Sequence, residues 1–301
     1  MRILFATLAG LAGLASFGCA PVSFPAVPPG PPVRHEASSA SFAIIGDYGE
    51  AGPEAAAVAA LVRKWQPDFI ATTGDNNYPD GMQDTIDANI GQYYHDYIGG
   101  YVGSYGGGAA ESRFFPTLGN HDWRTHDLAP YLGYFKLPGN ERYYAVSWGP
   151  VDLFLLDSDQ SEPDGNDADS RQARWLQDAL AGSTAAWQLV LLHHPPYSSA
   201  MHGSTRALQW PFAQWGVDAV IAGHDHDYER LERDGIVYLV NGLGGHGKLY
   251  QFGTPVPGSA VRFNATHGAM RVQATAQELR FEFLRVDGQV VDTRVIASTR
   301  R

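Results

Sequence analysis

Apolar residues fall in short β-type runs that stop abruptly at polar groups, and this arrangement recurs five times along the chain. The runs are Phe42-Ala43-Ile44-Ile45, Phe69-Ile70-Ala71-Thr72-Thr73, Phe115-Pro116-Thr117-Leu118, Gln188-Leu189-Val190-Leu191-Leu192 and Val217-Asp218-Ala219-Val220-Ile221-Ala222. They lead into Gly46-Asp47, Gly74-Asp75-Asn76-Asn77-Tyr78, Gly119-Asn120-His121-Asp122, His193 and Gly223-His224-Asp225-His226. Residues 53–64, 85–97, 169–181 and 205–215 carry helical patterns, the first opened by Pro53. Residues 143–147 and 151–157 read as a hairpin across Gly149-Pro150. After His226, residues 236–240, 269–275, 278–285 and 290–296 are strand-like, with Asp287-Gly288 as a turn between the last two. This order predicts an α/β fold of two mixed sheets packed together with helices outside, βα-rich at the front and antiparallel at the end.

Strand ends that share one edge of such a sheet deliver their side chains to one crevice. His224 and His226, two apart on extended backbone, face the same side. Two imidazoles held that close point to a shared metal. Asp47 and Asp75 follow buried-type strands with few basic residues nearby. Buried carboxylates are costly unless paired or metal-bound. Together with Tyr78, Asn120 and His193, these groups predict a pair of metal ions.

Composition narrows the rest. The 301 residues are 44% hydrophobic and 18% charged, which describes a globular chain with room for one large domain or two small ones. The formal net charge is −11, without a basic stripe, so no nucleic-acid partner is expected. The single cysteine, Cys19, excludes a disulfide within the chain and a cysteine-ligated zinc site. Gly242-Leu243-Gly244-Gly245-His246-Gly247 fits a dinucleotide fingerprint in letters only, because Pro255 and Pro257 follow where a helix would have to start.

The five blocks resemble the metallophosphoesterases, and specifically the purple acid phosphatases in their small, mammalian-type tartrate-resistant form. The matching segments are Asp47-Tyr48-Gly49, Gly74-Asp75-Asn76-Asn77-Tyr78, Gly119-Asn120-His121-Asp122, Val190-Leu191-Leu192-His193 and Gly223-His224-Asp225-His226. Other metallophosphoesterases carry a histidine where this chain has Gly49, and Tyr78 supplies the donor instead. The resemblance implies a four-layer sandwich. It implies Fe(III) held by Asp47, Asp75, Tyr78 and His226, and a divalent ion (Fe, Zn or Mn) held by Asp75, Asn120, His193 and His224. His121, helped by His202, would protonate the leaving oxygen. The implied activity is hydrolysis of small phosphate monoesters by direct attack of a metal-bound hydroxide. A phosphodiesterase acting on the same centre is the enzymatic alternative, and a binding lipoprotein with a dead phosphatase fold the non-enzymatic one. His194 reads as a loop neighbour of a ligand, and His246 as a residue of a glycine-rich loop.

Residues 1–18 read as an export signal, with Arg2 ahead of an apolar run too short to span a bilayer. Ser16-Phe17-Gly18-Cys19 resembles a bacterial lipoprotein box, which makes Cys19 a lipid anchor and the protein a periplasmic or cell-surface lipoprotein; cleavage after Ala20 is the alternative. Residues 19–40 are a proline-rich tether, and residues 41–298 the catalytic domain. Two stretches read as long loops, the glycine-rich residues 99–108 and the acidic residues 158–170.

Overall fold

The computed structural model describes Phe24 and residues 30–298, so the export signal and the Cys19 anchor lie outside the described residues. The strands are β1 (Val33–His35), β2 (Ser39–Ile45), β3 (Ile70–Thr72), β4 (Phe114–Phe115), β5 (Tyr144–Trp148), β6 (Val151–Leu155), β7 (Trp187–Leu191), β8 (Ala219–Ala222), β9 (Tyr228–Arg233), β10 (Ile236–Asn241), β11 (Ser259–Phe263), β12 (Gly268–Thr275), β13 (Glu278–Arg285) and β14 (Val290–Ala297). They form an eight-stranded sheet in the order β1-β5-β6-β7-β8-β10-β9-β11 and a six-stranded sheet in the order β14-β13-β12-β2-β3-β4. Strands β2, β3 and β4 run parallel, as do β6, β7, β8 and β10.

Side chains of successive strand residues point to opposite faces, and here both faces are covered. In β2, Phe42 and Ile44 enter the layer between the sheets, where they meet Leu153, Leu189, Ile221 and Met270. Ala43 and Ile45 face outward onto helix α1 (Pro53–Trp65), packing with Val58 and Val62. In β7, Val190 faces outward with Leu176 and Leu180 of helix α2 (Arg171–Ala181), whose N-cap Ser170 accepts from the Ala173 N–H. Strands buried on both faces read as unbroken apolar runs, which is why these were so plain in the sequence. The result is the expected four-layer sandwich.

Several local expectations need correction. Residues 205–215 form one short 3₁₀ turn, Arg206–Leu208, in place of a helix. Pro211 lacks the N–H that a helix needs there and keeps Trp210 out of the helical region. Residues 83–97 are helical, but a π-type segment at Asp87–Gly91 interrupts them. The chain after His226 is not wholly antiparallel, because β10 pairs parallel with β8. The sheet also takes in Val33–His35, the first residues past the last proline of the expected tether, paired with β5. Residues 158–170 form a loop as expected, pinned where the buried Arg142 guanidinium bonds Glu162 at 2.9 Å and Asp164 at 3.3 Å.

Candidate metal centre

The parallel strands of both sheets end at one edge. From the six-stranded sheet, β2 delivers Asp47, β3 delivers Asp75 and Tyr78, and the segment after β4 delivers Asn120 and His121. From the eight-stranded sheet, β7 delivers His193, and β8 delivers His224 and His226. Asp47, Asp75 and His224 adopt left-handed backbone angles, with φ of 54°, 53° and 71°. Such angles are unfavourable for side-chain-bearing residues and collect at functional sites. Here they turn the chain sharply off each strand so that the donor points back over the sheet edge.

The donors make two adjoining groups. In the first, the Tyr78 hydroxyl lies 2.8 Å from Asp75 Oδ2, 3.3 Å from Asp47 Oδ1 and 3.2 Å from His226 Nε2. In the second, His193 Nε2 lies 3.0 Å from Asn120 Oδ1, 3.2 Å from His224 Nδ1 and 3.4 Å from Asp75 Oδ1. Asp75 touches both groups, as a bridging carboxylate should.

Backbone carbonyls behind the rings set which nitrogen faces inward. His226 Nδ1 donates to the Lys248 carbonyl at 2.7 Å, and His193 Nδ1 to the Thr73 carbonyl at 2.8 Å. Each Nε2 lone pair then faces the centre, where it meets other acceptors: Asp47 for His226, Asn120 and Asp75 for His193. Acceptors facing one another at these distances fit a cation between them, so the residues present suit a metal pair. The charge pattern agrees. Burial opposes protonation of His193 and His226, yet the carboxylates, Asp75 and Asp47 among them, raise both above the usual imidazole range. Burial would raise Asp75, but His193, His121 and the Tyr78 hydroxyl hold it below the usual carboxylate range. Burial, with Asp75 and Asp47, pushes the Tyr78 phenol well above its ordinary value. A phenolate at Tyr78 therefore requires a highly charged cation beside it, and a hard anionic oxygen suits Fe(III).

Gly49 leaves no room for a donor of its own. A Cβ there would sit 2.1 Å from the Asn76 carbonyl oxygen, because the Tyr78 N–H donates to the Gly49 carbonyl at 2.8 Å and draws the two loops together. No side chain fits at that position, so no histidine there can reach the first group, where the Tyr78 hydroxyl stands instead.

Residues 40–228 match the calcineurin-like phosphoesterase family, and residues 235–293 match the iron/zinc purple acid phosphatase-like protein C family. The chain belongs to the calcineurin-like phosphoesterases. Within them its relatives are purple acid phosphatases. It is 27% identical over 238 residues to purple acid phosphatase 17 of Arabidopsis thaliana, covering 68% of each chain. It is 24% identical over 266 residues to tartrate-resistant acid phosphatase type 5 of Mus musculus, covering 77% of this chain and 79% of the mouse protein. The solved purple acid phosphatase PPD1 from seeds of yellow lupin, Lupinus luteus, shares the fold with a TM-score of 0.71 at 20% identity, over 88% of this chain. This chain spans 55% of the lupin protein's length. GAP50, the anchor in the inner membrane complex of Plasmodium, shares the fold with a TM-score of 0.64 at 17% identity, over 88% of this chain and 90% of that one.

In this phosphoesterase the two candidate acid histidines border the donors. His121 lies against the Tyr78 ring at 4.3 Å, with its Nδ1 on the Pro79 carbonyl. His202 stacks on His224 at 4.2 Å, and Asp225 Oδ1 accepts its backbone N–H at 2.9 Å. The rings continue around the centre. From His194 they pass to His224 (4.5 Å), His202 (4.2 Å), Tyr250 (5.2 Å), His226 (4.2 Å), His246 (4.4 Å), Tyr78 (4.4 Å) and His121 (4.3 Å).

Neither His194 nor His246 is a plain loop residue. Ser158 Oγ accepts the N–H groups of His193 and His194, which leaves its own proton for His194 Nδ1 at 3.0 Å. Burial and His193 push His194 down to about 3, so it stays a neutral ring carrying its proton on Nε2. Tyr250 had no signal in the sequence. Asp122, buried and raised to about 7 by burial and Asp75, accepts from the Gly119 N–H and Asn76 Nδ2 at 2.8 Å each, which ties two donor loops together.

Proposed function

We propose that the chain hydrolyses small phosphate monoesters as an acid phosphatase, with Fe(III) and a divalent ion as its metals. The observation that carries this reading is the set of acceptors from both sheets, aimed at one another by carbonyls behind the rings. Asp47, Asp75, Tyr78 and His226 would hold the iron; Asp75, Asn120, His193 and His224 would hold the divalent ion. When bound, the pair supplies Lewis acidity toward phosphoryl oxygens and an acidified water. His121 and His202 flank the donors on different sides, where they can bind a phosphoryl oxygen and pass a proton to the departing alkoxide. Pro79 and Asp225 keep these two groups in place.

Fold alone does not carry catalysis, and GAP50 is described as an anchor. The reading therefore rests on the donors and on both acid histidines. It is tested by metal content together with turnover. Purified protein is expected to hold iron and a second metal in equal amounts and to cleave nitrophenyl phosphate faster than bis(nitrophenyl) phosphate. A faster diester rate would make it a phosphodiesterase, and absence of turnover with both metals bound would make it a binding protein.

We further propose export to the periplasm or cell surface of a bacterium, with Cys19 as the lipid anchor. The support is the apolar run ending at the single cysteine, followed by a proline-rich stretch. Among the described residues no helix is long and apolar enough to cross a membrane. Cys19→Ser is expected to shift the protein from the membrane to the soluble fraction. Wild-type protein already soluble, with Pro21 at its N-terminus, would mean simple export.

A further inference from the structure

His194 has no part in the scheme so far, and its ring is engaged on one side only. Ser158 Oγ lies 3.0 Å from Nδ1, 2.9 Å from the His194 backbone N–H and 3.2 Å from that of His193. A serine oxygen has two lone pairs and one proton. The two N–H groups take the lone pairs, so the proton goes to Nδ1. Nε2 then carries a hydrogen. It has no partner among the described residues, and it is not one of the sealed-off buried atoms. The ring lies 4.5 Å from that of His224 and 4.9 Å from that of His193, with a nitrogen within 4.8 Å of theirs. Three imidazoles this close would suit a metal ion. The tautomer speaks against it for His194: Nε2–H has no lone pair to give, and the Nδ1 lone pair is spent on Ser158.

We propose that His194 is a third substrate-binding histidine, whose Nε2–H donates to a non-departing phosphoryl oxygen on the His193–His224 side of the centre. The proposal rests on the phosphatase reading above and adds a residue to that same site. A phosphate monoester carries three non-ester oxygens beside the one that departs. His121, packed on Tyr78, stands at the far end of the arc of rings from His194. An oxygen on the His193–His224 side therefore needs a donor of its own.

Charge decides which form of the ring is useful there. An imidazolium beside a divalent ion would be repelled, whereas a neutral N–H still donates without that repulsion. A donor held in place before the reaction stabilises the phosphoryl oxygens without reorganising. His194 moves no proton in this scheme. Two features hold it. Ser158 fixes the tautomer, and Pro195 restricts the preceding His194 backbone to extended conformations.

The metal-loaded protein serves for the test, with wild type, His194→Leu and His194→Gln compared. Calorimetric binding of inorganic phosphate reads the contact without turnover. His194→Leu is expected to weaken it ~10–100-fold, the size of a hydrogen bond to a charged group. His194→Gln should keep much of the affinity, because its amide offers an N–H at a similar reach. Both variants should hold both metals as wild type does. Turnover then separates His194 from the acid histidines. In His194→Leu, kcat/KM for an alkyl phosphate and for nitrophenyl phosphate should fall by the same factor, because the oxygen it holds is not the one that departs. Wild-type phosphate affinity in His194→Leu would overturn the proposal. So would loss of the second metal from that variant, which would make His194 a ligand. A loss confined to alkyl phosphates would make it an acid and overturn the proposal equally. Because phosphate binding is measured without cleavage, this contact and the phosphatase reading can fail separately.

Discussion

His121→Ala is expected to cut kcat for an alkyl phosphate by ~10²–10⁴-fold, the usual worth of a general acid. The loss for nitrophenyl phosphate should be far smaller, since nitrophenolate departs with little help from a proton. Metal content should hold, because the His121 contact to Asp75 Oδ1 comes from its backbone N–H at 2.9 Å and survives the substitution. The comparison depends on the two esters being measured on the same preparation. Equal losses for both would remove His121 from the proton-transfer role.

Tyr78→Phe is expected to abolish a visible absorption band in the oxidised, metal-loaded protein and to weaken iron retention. The hydroxyl is the one group of that side chain within reach of Asp47, Asp75 and His226. The phenyl ring would keep its packing against His121 and His246. Burial and the two carboxylates hold this phenol far above its ordinary titration range. Only a strongly charged ion would ionise it, and charge transfer from the phenolate would give the colour. Asn120→Ala is the counterpart: its neutral amide sits in the other group, so the divalent ion and activity should go while colour stays. A colourless, active protein containing two divalent ions would sink the assignment of Tyr78.

The donors were legible because each block closely follows a doubly buried strand, and all but His193 stand within a few residues of a glycine. What surrounds them was not, because it depends on the crossing of the two sheets. Thr73 and Lys248 act through backbone carbonyls, which every residue has. Tyr250 reaches His226 from 24 residues away in the chain, stacked at 4.2 Å and 6°. Strand β9 was hidden by its charges; Arg230 meets Asp292 at 2.7 Å on β14 of the other sheet. Residues 205–215 misled through a helical pattern that Pro211 defeats.

Each ion of the proposed pair would draw donors from both halves of the sandwich. Asp47, Asp75, Tyr78 and Asn120 hang from the six-stranded sheet, and His193, His224 and His226 from the eight-stranded one. Direct bonds also cross the sheets at this edge, among them His224 N–H to Asp47 at 2.9 Å and Gly244 N–H to the Gly46 carbonyl at 2.9 Å. Loading and folding are then one linked equilibrium. An ion present at a thousand times its dissociation constant adds about 4 kcal/mol to the folded state. For a domain this size that corresponds to a melting temperature roughly 10 °C higher. Chelation should therefore lower the melting temperature as well as silence the protein, and the iron supply of its compartment would bear on how long each copy survives as well as how fast it works.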